Sequence, residues 1–294
     1  MENYNIYRLS STRELAAKEK MTPSHQAALY GGLDYYANVG LNDNTPRVIY
    51  PAERADVRGM DLRGGKEYLP HTKDEVQQIE KILTEAHWGC RVDSAANGTE
   101  ESFKALSGEK TQYLHLATHG FYYTPEEADY IQYDFFQIND YIASDEDKAL
   151  SRSGLILSGA NHLLEGEELP VDAEDGILTA KEIAQMDLRG LDLVVLSACQ
   201  TGLGDIAQSE GVFGLQRGFK KAGANSILMS LWEVDDRATQ ILMTQFYKRL
   251  LAEENKCLAL KAAQQFLRKV DGGKYDAPQY WAAFILLDGL NNSQ

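Results

Sequence analysis

Two short apolar runs constrain this chain more than anything else in it. Tyr113-Leu114-His115-Leu116-Ala117-Thr118-His119-Gly120 and Leu193-Val194-Val195-Leu196-Ser197-Ala198-Cys199-Gln200-Thr201-Gly202 are each β-branched, aromatic or aliphatic until they stop at a side chain able to serve as base or nucleophile. Such runs read as buried strands of a parallel sheet. Ligands bind beyond the strand ends of an open parallel sheet, so His119 and Cys199 can face each other across one cleft. The chemistry asks for this pairing, because a thiol needs an imidazole to take its proton and to return one to the leaving amine. Gly120 lets the backbone approach a substrate carbonyl, and its N–H with that of Cys199 would hold the oxyanion. A dyad of this kind needs no third side chain.

The rest of the chain alternates between strand and helix patterns. Strands are expected at residues 27–35, 90–93, 155–157, 226–231 and 281–287, with a short one at 48–50 inside an insertion over 38–65. Thr72 and Glu75 read as a capping box opening a helix over 73–86, where Val76, Ile79, Leu83 and Ala86 recur at helical spacing. Further helices are expected at 99–107, from Thr179 with Glu182 three residues on, and at 210–222, 237–252 and 256–270. In the helix over 210–222, Gly211, Gly214 and Gly218 each weaken it by roughly 1 kcal/mol relative to Ala, which close packing on the sheet would offset. The class is α/β with a mainly parallel sheet.

Composition narrows the partners. The 294 residues are 44% hydrophobic, enough for one large core or two modest ones, and the alternation favours one. With 29 Lys and Arg against 44 Asp and Glu, the formal charge of −15 disfavours nucleic acid and anionic membranes and favours basic partners. The 3 Cys are odd in number and show no paired spacing, no apolar run is long enough to span a bilayer, and the first twenty residues lack a signal-peptide core. A reducing, cytoplasmic setting is the expectation, one that suits a thiol nucleophile. No metal-ligand spacing and no phosphate-binding loop is present, so no cofactor is expected.

Cys90 and Cys257 read as core, as does His115 inside its strand. His25, His71, His87 and His162 carry no motif. Residues 121–152 mix aromatic and acidic side chains without a period, which fits a solvated insertion or, since the segment leaves directly from His119, a lid or activation loop. Residues 163–176 read as an acidic linker. The turn Trp232-Glu233-Val234-Asp235-Asp236 admits two readings, an N-cap for the helix that follows or a charged specificity pocket.

Five blocks resemble one family. Leu-Ala-Thr-His-Gly (116–120), Leu-Ser-Ala-Cys-Gln-Thr-Gly (196–202), Glu-Gly-Val-Phe-Gly-Leu-Gln-Arg-Gly-Phe (210–219), Ser-Leu-Trp-Glu-Val-Asp-Asp (230–236) and Tyr-Trp-Ala-Ala-Phe-Ile-Leu (280–286) are similar to the CHAT domain, a relative of caspases, separases and gingipains. The resemblance implies a caspase-like three-layer fold over residues 21–294, preceded by a linker over 1–20, with the insertion or lid at 121–152 inside it. A segment like 5–9 joins the peptidase domain to an upstream helical-repeat module in the family. It further implies a cysteine endopeptidase in which Cys199 attacks, His119 is general acid and base, and the Gly120 and Cys199 amides form the oxyanion hole. The separase pocket aspartate falls on Asp236, with Asp235 and Glu233 in the same turn, implying cleavage after a basic residue. The substrate would be a dedicated protein in a prokaryotic defence or signalling setting, with a regulatory partner or the repeat module as control. Two other classes compete: a catalytically silent caspase-like interaction module, and a small-molecule hydrolase or amidotransferase, whose Gly-x-Cys-x-Gly elbow is absent.

Overall fold

The structure, a computed structural model, describes residues 7–12, 22–37, 47–48, 66–122, 150–165, 167, 169–170, 173–197, 209–232, 234–253 and 255–288. In chain order the first elements are β1 (Gln26–Leu33), β2 (Arg47–Val48), α1 (Pro70–Glu85), β3 (Gly89–Ala95), α2 (Glu100–Lys104), β4 (Tyr113–Ala117), β5 (Gly120–Tyr122) and β6 (Ser153–Ile156). Then come α3 (Ala160–Leu164), β7 (Leu169–Pro170), β8 (Ile177–Thr179), α4 (Ala180–Gln185), β9 (Leu193–Leu196) and α5 (Ser209–Ala222). The last are β10 (Ser226–Ser230), α6 (Asp236–Glu253), α7 (Lys256–Leu267), α8 (Pro278–Trp281) and β11 (Phe284–Leu287).

Six strands form the central sheet in the order β11-β10-β9-β4-β1-β3, parallel except for the β10–β11 pair. After β1 the chain steps outward to β3, then returns to the other side of β1 to lay down β4, β9, β10 and β11. That reversal between β1 and β4 is the place where an open α/β sheet leaves a crevice at its strand ends.

Alternation along the strands divides the core in two. Tyr30, Leu114, Leu116, Val194, Leu196 and Met229 face one side, where α2, α3, α4 and α5 bring Phe103, Ala160, Ile183 and Phe219. Leu29, Tyr113, Leu193, Val195 and Leu228 face the other, against Val76, Ile79 and Leu83 of α1, Phe246 and Tyr247 of α6 and Leu260 of α7. Helices on both faces of a mostly parallel sheet make three layers, as expected from the sequence. Each fully buried Leu or Phe contributes about 2 kcal/mol by removal from water.

Several local expectations change. Helix α1 starts at Pro70, with Leu69 at the N-cap, and Thr72 and Glu75 do not form a capping box. Proline is pre-set for the first helical position, and Thr72 is used instead to accept the Gly32 N–H (2.9 Å) and donate to the Leu69 carbonyl (2.7 Å). At α4 the capping box does form, between Thr179 and Glu182. The segment after Gly120 begins as β5, which joins β6 and β8 in a small antiparallel sheet of three strands. Residues 123–149 of the expected lid lie outside the described residues. The expected acidic linker contains regular structure, since α3 runs to Leu164 and β7 pairs with β2. Gly218 of α5 packs against α4 rather than the sheet: a Cβ there would lie 2.6 Å from the Ala180 carbonyl oxygen.

The first described residues reach the far edge of the sheet. Arg8 bridges Leu287 in parallel, the Asp288 N–H donates to the Arg8 carbonyl, and the Asp288 carboxylate accepts from the Ser10 N–H (2.8 Å) and hydroxyl (2.6 Å). Lys220 completes this clasp with an ion pair to Asp288 (3.0 Å).

Candidate active site

The two apolar runs leave the sheet side by side. Leu116 of β4 is in register with Leu196 of β9, and the Ser197 N–H donates to the Leu116 carbonyl (3.0 Å). His119 follows two residues beyond β4, at the crevice beside β1. Cys199 lies outside the described residues, two positions past Ser197, as does Glu233 of the acidic turn.

His119 is 3% exposed and held on several sides. Its carbonyl accepts the Ile156 N–H (2.9 Å), and the neighbouring Thr118 hydroxyl donates to the Ile156 carbonyl, so β6 grips this corner of the backbone twice. Tyr35, just past β1, sets its ring 5.2 Å from the imidazole and shares a hydrogen bond with Thr118 (3.0 Å). Burial raises the Tyr35 phenol to about 12, so it stays neutral beside the site. The His119 Nε2 lies 2.8 Å from the Glu67 carbonyl oxygen, in the segment that leads into α1. A carbonyl only accepts, so this contact requires a proton on Nε2 and leaves the lone pair of the neutral ring on Nδ1. Gly120 is buried and opens β5, directly after the imidazole.

The acidic turn resolves into two different aspartates. Asp235 caps α6, its carboxylate accepting the Ala238 N–H (2.8 Å) and its carbonyl accepting the Thr239 N–H (2.9 Å). Asp236, the next residue, is half-buried. Burial pushes its carboxyl above the usual carboxylate range, Asp235 and Glu75 push the same way, and the nearby His71 and His119 oppose them. The structure therefore brings Asp236 into the electrostatic neighbourhood of His119 and assigns the cap to Asp235.

Behind the crevice lies a polar network that the sequence signals did not reveal. His115 is fully buried, and its Nε2 lies 2.8 Å from Glu75 Oε1 of α1 and 3.3 Å from the Ser197 hydroxyl. The Tyr247 hydroxyl of α6 is hydrogen-bonded to His115 Nδ1 (3.2 Å), its phenol held well above its usual range by burial. His115 is thus the satisfied core histidine the strand pattern suggested, while Glu75, read from sequence as a cap, is its partner. The Glu67 carbonyl carries no sequence signal at all, since any residue supplies one.

Among the described residues, three carboxylates come within 4.8 Å of one another, those of Glu100, Glu174 and Glu182. The Lys104 ammonium lies 2.8, 2.8 and 3.0 Å from Glu100, Glu174 and Glu182, and supplies their counter-charge. No helix among the described residues is long and apolar enough to cross a membrane.

The fold is a mainly parallel α/β open sheet with a histidine held in the crevice at its topological switch point. The chain belongs to the CHAT domain family, whose model matches residues 1–289. Among curated proteins, human tetratricopeptide repeat protein 28 is 33% identical over 112 residues and its mouse counterpart 34% over 113, in each case 38% of this chain and 4% of the relative. The chain therefore matches only a small part of those relatives' length. Among solved structures, the Arg-specific cysteine proteinase gingipain R superposes with a TM-score of 0.44 at 10% identity, covering 94% of this chain and 49% of that one. A complex of the RgpB pro- and mature domains from Porphyromonas gingivalis gives 0.45 at 10% identity, covering 94% and 50%.

Proposed function

We propose that this chain is a cysteine endopeptidase that cleaves a protein substrate through Cys199 and His119. The observation that carries the reading is the pinned His119 imidazole in the crevice between β1 and β4, beside the strand that leads to Cys199. His119 Nδ1 takes the thiol proton as sulfur attacks the scissile carbonyl carbon, and the amides of Gly120 and Cys199 hold the oxyanion. The tetrahedral adduct collapses with loss of the amine, which receives the proton from His119. Water then hydrolyses the thioester with His119 as base, releasing the acid and restoring the thiol.

Asp236 would select Arg or Lys before the scissile bond through a charge-assisted pair, with Glu233 in the same turn. Membership of the CHAT family and the partial likeness to a tetratricopeptide repeat protein support a dedicated protein partner and control by a helical-repeat module. The test is labelling by an acyloxymethyl ketone probe, with mass spectrometry of new N-termini in candidate partners. Labelling should vanish in Cys199→Ala, fall strongly in His119→Ala and persist in Cys90→Ala and Cys257→Ala. Equal labelling of the parent and Cys199→Ala would assign the chain to silent interaction modules.

A further inference from the structure

The geometry points to Asn161 as the positioning residue of the His119 imidazole, acting through the backbone of Lys66 and Glu67. The inference rests on the peptidase reading for its consequence and on geometry for its structure. Asn161 is fully buried in α3, and both ends of its side-chain amide engage one residue. Its Oδ1 accepts the Lys66 N–H (2.6 Å) and its Nδ2 donates to the Lys66 carbonyl (3.1 Å). One side chain thereby reads both backbone groups of Lys66, as a neighbouring strand would.

The carbonyl that receives His119 Nε2 belongs to the next residue, Glu67, in a stretch that is neither helix nor strand. On one side that stretch is anchored by Leu69 at the start of α1, and on the other by Asn161. Glu67 and Tyr68 are themselves exposed, so packing contributes little to where the carbonyl points. Asn161 is in turn fixed by donating its N–H to the Tyr35 carbonyl (2.9 Å), and the Tyr35 ring lies against His119. Both supports of the imidazole, the carbonyl on Nε2 and the ring beside it, thus lead back to one asparagine.

The side chain is matched to the task. Aspartate has the same shape but only acceptors when ionised, so it keeps the bond to the Lys66 N–H and opposes the Lys66 carbonyl. Once the Glu67 carbonyl shifts, the neutral imidazole no longer has to carry its proton on Nε2, and the lone pair is no longer confined to Nδ1.

The experiment uses the full chain, ¹⁵N-labelled, with two-bond ¹H–¹⁵N correlation of the histidine rings and His119→Gln to assign His119. The parent should show the Nε2–H tautomer and Asn161→Asp a mixture of the two. Iodoacetamide alkylation of Cys199, followed by mass spectrometry against Cys90 as internal reference, should slow roughly tenfold, the weight of one hydrogen bond. Lys66→Pro removes the same N–H from the solvent side and should move the tautomer in the same direction, which decides the matter if Asn161→Asp does not fold. His162→Ala perturbs α3 next door and should leave the ring as in the parent. A parent-like tautomer in Asn161→Asp and Lys66→Pro overturns the proposal, as does an equal shift in His162→Ala. If Cys199 of the parent alkylates no faster than Cys90 while the tautomer still shifts, the positioning stands and the peptidase reading falls.

Discussion

Asp235 and Asp236 are chemically identical neighbours given different work by one turn of backbone. Asp235 spends its carboxylate on the Ala238 N–H, so Asp235→Asn should be nearly silent, because asparagine caps equally well, whereas Asp235→Ala should cost about 1 kcal/mol in urea unfolding. In the proposed function Asp236 offers its charge to the substrate. With an ion pair to a desolvated Arg worth on the order of 2 to 5 kcal/mol, Asp236→Asn should lower kcat/KM far more for an Arg substrate than for its Gln analogue. If Asp236 is the pocket carboxylate proposed above, the pH dependence follows from its raised carboxyl: only the ionised form would bind the guanidinium, so Arg selectivity should be present at high pH and lost as pH falls through a value above the ordinary carboxylate range. Measured as the ratio of kcat/KM for the two substrates, that fall should flatten in Asp236→Asn; a parallel decline in both proteins would place the titrating group elsewhere. At this scale the residue pattern alone does not separate the two aspartates, since a cap and a pocket ask for the same side chain at the same turn; only the family resemblance set the pocket at Asp236. Cys199 and His119, by contrast, stand out in the sequence because each follows an apolar strand run, with Gly120 directly after the histidine and Gly202 three residues after the cysteine.

Helix α1 shows where pattern reading succeeds and where it stops. Its apolar stripe of Val76, Ile79 and Leu83 is buried as the spacing requires, yet Thr72 and Glu75 face inward with it. A Ser/Thr-x-x-Glu pattern is local, and the buried His115 that claims Glu75 is 40 residues away. Removing one partner of such a hydrogen bond leaves the other buried and unsatisfied, so Glu75→Ala should destabilise by about 1 to 3 kcal/mol in chemical denaturation, and Glu75→Gln, which keeps an acceptor, by clearly less. A competition of the opposite kind holds at Gly218 of α5. Alanine there gains about 1 kcal/mol of helix propensity, but its Cβ would press to 2.6 Å from the backbone of α4, and overpacking of this sort costs about 1 to 3 kcal/mol. Gly218→Ala should therefore unfold at lower urea than the parent; a higher midpoint would show that α4 yields. Most strands of the central sheet were readable as apolar runs, β3 with its Arg91 and Asp93 being the exception, and β6 was expected at 155–157, whereas β5 and β8 are too short to show a period and are defined by pairing between distant segments.

Across the whole molecule, strand order is what composition and periodicity do not encode. Alternation of strands and helices implies a parallel sheet, but the reversal after β3 that puts β4 beside β1, and so places His119 in a crevice, depends on long-range pairing. The family resemblance supplied the layered expectation that residue patterns alone left open. The edge at β11 is covered by the segment around Arg8, clasped through Asp288 to Ser10 and Lys220. Uncovered strand edges pair with other chains, so Asp288→Ala should loosen the segment and increase concentration-dependent self-association in sedimentation velocity; a profile like the parent's would mean the pairing holds without its carboxylate.

The same clasp brings together two stretches that are almost the full chain apart, Arg8 and Leu287. A fold in which segments so far apart in sequence touch has no fixed starting point in a topological sense. Joining its ends by a flexible tether and reopening it between Gly108 and Lys110, a turn whose glycine has open space around it, should preserve strand order and crevice alike. Such a unit can be spliced as a cassette into a surface loop of another protein, entering and leaving through one doorway at the edge of the sheet.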